Sequence, residues 1–137
     1  MNLNVVITGN LSKMPELVSA KAKEFEDVGM HVVFPKNLNS TNIREQLLSL
    51  RRDEARLKRE EISQNSILYI LNPGGGISPN TNIEIGLAMA SGTHIFCSEK
   101  PTAPELQLHW IKVGKTAEEI KSEVEAFNIK NKPRCRI

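Results

Sequence analysis

Apolar residues in this chain fall into two patterns: short unbroken runs, and longer stretches in which they recur every three or four positions. The first run, Leu3 to Thr8, closes on Gly9 and predicts a buried strand whose glycine lets the backbone turn tightly. From Ser12 to Val28, Met14, Leu17, Val18, Phe25 and Val28 keep helical spacing, with Pro15 suited to a first turn and Gly29 to the position past the end. His31-Val32-Val33-Phe34 predicts a second strand stopped by Pro35, and a polar Asn/Ser loop follows over Lys36 to Asn42. A second helix is predicted from about Thr41 to Gln64, with Ile43, Leu47, Leu50 and Leu57 on one stripe.

Ser66 to Leu71 is a third strand, followed by the glycine-rich Asn72-Pro73-Gly74-Gly75-Gly76 and a helix that Gly92 closes. Thr93 to Cys97 gives a fourth strand, Leu106 to Val113 supplies a fifth, and Thr116 to Phe127 a last helix. Strands alternating with helices imply an α/β fold: a flavodoxin/Rossmann-like open parallel five-stranded sheet, order 2-1-3-4-5, with helices on both faces. Its switch point between strands one and three brings Gly9-Asn10 beside the loop from Asn72 to Thr81. One domain is expected over residues 1-129, with a basic C-terminal tail over 130-137.

The stretch Ser78-Pro79-Asn80-Thr81-Asn82-Ile83-Glu84-Ile85-Gly86 lies where ligands bind open α/β sheets. It is expected to place Glu84 in the first turn of a helix, whose N-terminus favours an ionised carboxylate. Thr81-x-x-Glu84 also has the spacing of a capping box, with Thr81 as N-cap and Glu84 reaching back, so the same residues have a purely local explanation. Gly9, Asn10, Ser12 and Ser78 could offer donors to a phosphate, with Lys13 adding charge, although Ser12 equally suits a cap of helix one.

Composition narrows the field. A formal net charge of +2 is too small to argue for nucleic acid, and the basic residues of Arg51 to Glu61 are interleaved with acids, as on a solvated helix face. Cys97 and Cys135 fit no metal spacing and are expected as free thiols in a cytoplasmic protein, without a disulfide. His31, His94 and His109 form no metal pattern. No apolar stretch suggests a membrane span, and no metal or cofactor is expected.

Together, Ile7-Thr8-Gly9, the glycine-bearing loop and Ser78-x-Asn80-Thr81-x-x-Glu84-Ile85-Gly86-x-Ala88 resemble the nucleoside 2-deoxyribosyltransferase-like superfamily over about residues 3 to 127, including its deoxynucleoside 5′-monophosphate N-glycosidase branch. The resemblance implies cleavage or transfer at the N-glycosidic bond of a (deoxy)nucleoside or its 5′-monophosphate, with Glu84 as nucleophile. It also implies Ser78 as a 5′-phosphate contact, with Gly9, Asn10, Asn80 and Thr81 lining the substrate pocket, and a homodimer or larger homo-oligomer. Members of the family usually carry an aspartate in helix two and another eight residues later. Here Leu57 and Asn65 stand at those positions. Asp53, one turn before Leu57 and paired with Arg52, is the candidate acid or base, and Glu54 is its rival. Asn65 is expected far from the pocket, in a structural role. The family often has glycine where Asn80 stands.

Three other readings stay open. Pro73-Gly74-Gly75 followed by Thr81-x-x-Glu84 is similar to the phosphoribohydrolase motif, with three extra residues. Pro79-Asn80-x-x-x-Glu84-x-Gly86 is similar to TIR-like NAD glycohydrolases. A non-catalytic nucleotide-binding module would keep the pocket and lose the chemistry.

Overall fold

A computed structural model describes residues 3–35, 47 and 54–130, with residues 54, 55 and 130 defined by backbone alone. Five strands follow from the apolar runs: β1 (Asn4–Gly9), β2 (His31–Phe34), β3 (Ile67–Leu71), β4 (His94–Cys97) and β5 (Ile111–Val113). They form one parallel sheet in the order β2-β1-β3-β4-β5, as the alternation of strands and helices predicts. Every residue of β3 is buried, as befits a strand covered on both sides, whereas β5 at the edge exposes Lys112 and Val113.

The helices are α1 (Pro15–Asp27), α2 (Glu54–Gln64), α3 (Pro79–Ser91) and α4 (Ala117–Lys130). α1 and α4 cover one face, where Phe25 meets Tyr69 edge-on at 5.2 Å and the Ala117 N–H donates to Glu24 Oε2 at 2.6 Å. α2 and α3 pack together on the other face. There the Thr93 hydroxyl of the α3–β4 turn donates to the Ile62 carbonyl of α2 at 2.9 Å. Strand alternation sends Tyr69 to the first face, and Thr8 with its register partner Ile70 to the second.

Local boundaries depart from expectation in several places. The segment before α1 is a single 3₁₀ turn, Leu11–Lys13, and Met14 occupies the N-cap of α1 without a side-chain cap bond, so Ser12 does not cap that helix. Leu17, expected on the buried stripe of α1, is half exposed. The Leu106 to Val113 region contributes only a three-residue strand, because Pro104–Leu106 forms another 3₁₀ turn. The expected start of helix two, apart from Leu47, and the C-terminal tail beyond Lys130 lie outside the described residues. Leu47 itself is helical and buried.

α3 departs most consequentially. Its N-cap is Ser78, whose Oγ accepts the Thr81 N–H at 3.2 Å, and Pro79 takes the first helical position, where a missing N–H costs nothing. Thr81 is therefore not the cap. Glu84 lies in the second turn, not the first, and its carboxylate turns into the protein instead of back to the helix end.

Candidate functional site

β1 ends in Thr8-Gly9 and β3 in Ile70-Leu71, paired in register at the carboxyl edge of the sheet. Gly9 has φ +133°, and a β-carbon there would run into the Leu71 carbonyl oxygen. Only glycine fits this crossing point, and the chain leaves it into the loop that carries Asn10 and Lys13. On the β3 side, the loop is fastened to the end of β4. Asn72 Oδ1 accepts the Ser98 hydroxyl at 3.0 Å and the Glu99 N–H at 3.1 Å, while its Nδ2 donates to the Glu99 carbonyl at 2.9 Å. Glu99 Oε2 accepts the Gly74 N–H at 2.5 Å. Gly75, at φ +85°, passes so close to the Lys100 carbonyl that a β-carbon would lie 2.5 Å from it.

Between these two loops lies a cleft of about 520 Å³, lined by Gly9, Asn10, Lys13, Met14, Ile70, Leu71, Asn72, Pro73, Gly76, Ile77, Ser78 and Thr81. Its position is the topological switch point of the sheet, and its size suits a small-molecule ligand. Ser78 and Thr81 face it from the start of α3, with the Ser78 hydroxyl donating to Thr81 Oγ1 at 3.0 Å.

Behind the cleft, one helical turn beyond Thr81, three polar side chains meet in the interior. Thr8, Lys58 and Glu84 are 0%, 5% and 2% exposed. The Lys58 ammonium donates to Thr8 Oγ1 at 3.1 Å, and the Thr8 hydroxyl donates to Glu84 Oε1 at 2.7 Å. Lys58 Nζ stands 3.4 Å from Glu84 Oε2. An ammonium has donors only, so Thr8 accepts from it and its single proton is left for Glu84. Strand β1, helix α2 and helix α3 each supply one member, and both oxygens of the buried carboxylate face a donor.

Of the residues expected at the site, Gly9, Asn10, Ser78 and Thr81 converge on the cleft. Asn80 does not: it is an exposed residue within α3, in helical and not left-handed conformation, and is absent from the lining. Glu84 sits beneath the cleft instead of on its wall. Asp53 lies outside the described residues, and of Glu54 only the backbone is defined. Asn65 stands at the end of α2 away from the cleft, its Nδ2 donating to the Glu61 carbonyl at 2.7 Å. Lys58 stands inside a charged run that the sequence presents as a solvated helix face. Its signal was helical spacing, since it lies one turn before Ile62, which is fully buried.

Among the described residues no group of three or more His, Cys, Asp or Glu side chains is placed to hold a metal ion, and no helix is long and apolar enough to cross a membrane. Burial pushes the Cys97 thiol up to about 12, which leaves it unreactive in the folded chain.

No family model matches this chain, and neither does any curated protein sequence. Among solved structures it is similar to a CMP N-glycosidase of Clostridium botulinum, BcmB, at 19% identity and a TM-score of 0.54. The likeness covers 90% of this chain and 98% of that one. The α/β fold implied by the resemblance to the nucleoside 2-deoxyribosyltransferase-like superfamily is thus the fold this chain has, shared with an N-glycosidase over nearly its whole length.

Proposed function

We propose that the cleft takes a nucleoside or nucleoside 5′-monophosphate and that this chain cleaves its N-glycosidic bond with Glu84 as nucleophile. The observation that carries the reading is the buried Glu84 carboxylate, held by Thr8 and Lys58 one turn behind a switch-point cleft. The shared fold with a CMP N-glycosidase supports it. Glu84 attacks the anomeric carbon as the carbon–nitrogen bond breaks, and the electron pair leaves on the base, which takes up a proton. Water then hydrolyses the glycosyl ester, restoring the carboxylate and releasing the sugar, as in retaining glycosidases. Transfer to a second base would use the same intermediate. Asp53 is the proposed proton donor, and Gly9, Asn10, Ser78 and Thr81 the substrate contacts, with Ser78 nearest a 5′-phosphate. Asn80 is proposed only as a residue at the rim. The resemblance extends the proposal to a homo-oligomer, and the cysteine pattern to a cytoplasmic protein, acting without a cofactor.

One observation favours a second reading, a nucleotide-binding module without turnover. Both oxygens of Glu84 are engaged inside the protein, and Glu84 is not among the residues that line the cleft. The deciding experiment incubates the purified protein with ribo- and deoxyribonucleosides, their 5′-monophosphates and NAD, each with and without an acceptor base, and detects free base by chromatography. Base release that disappears in Glu84→Gln supports the first reading, and release of nicotinamide alone would redirect it to NAD. Thermal stabilisation by a nucleotide without any base release would establish the second.

A further inference from the structure

We infer that Lys58 is the positioning residue for Glu84, fixing the orientation in which the carboxylate meets the sugar. The inference rests on the N-glycosidase reading above. The sequence leads one to look for an acid near Leu57, and the next residue supplies a cation in the interior instead. Its ammonium bridges two elements: it donates to Thr8 on β1 at 3.1 Å and stands 3.4 Å from Glu84 Oε2 on α3.

The direction of the hydrogen bonds is what makes Lys58 more than a neighbour. Without the ammonium the Thr8 hydroxyl still donates to the acceptor-only carboxylate, but nothing anchors its oxygen from the other side, so the Oε1 contact loses the group that holds it in place. Lys58 therefore acts on the carboxylate twice, directly at Oε2 and through Thr8 at Oε1. Together the two contacts fix the carboxylate plane, leaving the χ angles of a glutamate little freedom. Surface pairs on this chain are built differently. Lys21 and Glu24, 2.8 Å apart, are neighbours on one helix and both partly exposed, whereas Lys58 joins three elements beneath a cleft. An ion pair kept only for stability has little to recommend it here, since apolar side chains of similar volume commonly hold such a place as well or better.

The test measures steady-state base release by the full chain and three variants on whichever substrate of the panel above is turned over. The variants are Lys58→Arg, Lys58→Gln and Lys58→Met, and each is checked for folding by circular dichroism and thermal melting. Misplacing a nucleophile by about an ångström costs on the order of a hundredfold in rate, so Lys58→Gln is expected to lose about that much in kcat, with KM moved less than about threefold. Lys58→Arg, which keeps both charge and donors, is expected to retain most of the activity. Folded Lys58→Gln and Lys58→Met proteins with wild-type kcat would overturn the inference while leaving Glu84 as nucleophile. Variants whose KM rises with kcat unchanged would also overturn it, assigning Lys58 to substrate binding. If the Lys58→Met protein does not fold, the contrast between Gln and Arg decides. A wild-type chain without base release would overturn both this inference and the reading beneath it, whereas wild-type turnover that Glu84→Gln abolishes keeps that reading and leaves the Lys58 variants to decide this inference alone.

Discussion

At the scale of single residues, the Thr8–Lys58–Glu84 group has a property that surface polar clusters lack: neither charge can be removed alone without leaving the other buried and unpaired. Changing Lys58 to Met leaves a buried carboxylate facing apolar atoms, and changing Glu84 to Gln turns an amide N–H or a weaker acceptor toward the ammonium. Breaking one half of a buried pair costs about 3–5 kcal/mol. Each single variant should therefore lose about that much in chemical denaturation, and the double variant Lys58→Met/Glu84→Gln less than the sum of the two. Additive losses would mean that the side chains do not act as a pair. This group is also the part of the site that sequence reading found least well. Glu84 was visible through its motif, but its depth was not, because Thr81-x-x-Glu84 and Ser78-Pro79 are both plausible helix starts and only one of them is used. Pro79 was the better guide, since proline favours the first helical position. Lys58 was hidden because a charge-rich stretch ordinarily means solvent, and nothing but packing against α3 overrides that expectation.

Elements meet at two places that invite measurement. Where β1 crosses the end of β3, Gly9→Ala would force a side chain at φ +133° against the Leu71 carbonyl. Strain of that kind costs about 1–3 kcal/mol for the backbone alone. The variant should melt several degrees lower and bind cleft ligands more weakly, while wild-type melting would show that the crossing has room to spread. On the far face, α1 and α4 are joined through Glu24, which accepts the Ala117 N–H at 2.6 Å and pairs with Lys21 at 2.8 Å. Burial opposes its ionisation, but those two donors prevail and lower its pKa below the ordinary 4.5. A depressed carboxylate contributes stability that is present above the unfolded value and lost as pH falls through the folded one. Glu24→Gln should therefore melt below wild type at neutral pH, with the difference closing in acid below about pH 4.5. His94, which meets Phe127 edge-on at 4.7 Å, adds to the same trend. Burial lowers its pKa from 6.5, so the unfolded chain binds its proton first and stability declines as pH drops below that value. An acid melting profile flat from pH 7 to 5 in wild type but not in His94→Gln would contradict this.

For the molecule as a whole, strand order, the presence of helices on both faces and the place of the cleft were legible because parallel strands buried on both sides appear as continuous apolar runs, and the crossover rule leaves few ways to connect them. Strand β5 was overestimated because Leu106 and Leu108 pack onto the core from a turn, which apolar content does not distinguish from a strand. Cys97 offers a probe of the assembled core. Buried on β4 with its thiol pushed up to about 12, it should react with a thiol reagent only as fast as the chain opens. In a Cys135→Ser background, labelling that rises with denaturant in step with loss of helix signal is expected, and rapid labelling of native protein would show that the edge of the sheet near β5 opens on its own. The one-way run of donors from Lys58 through Thr8 to Glu84 also bears on descent. A lineage that exchanged the cation for an acid would bury two carboxylates side by side, so position 58 should change only in company with position 8, while position 84 stays fixed wherever base release is retained.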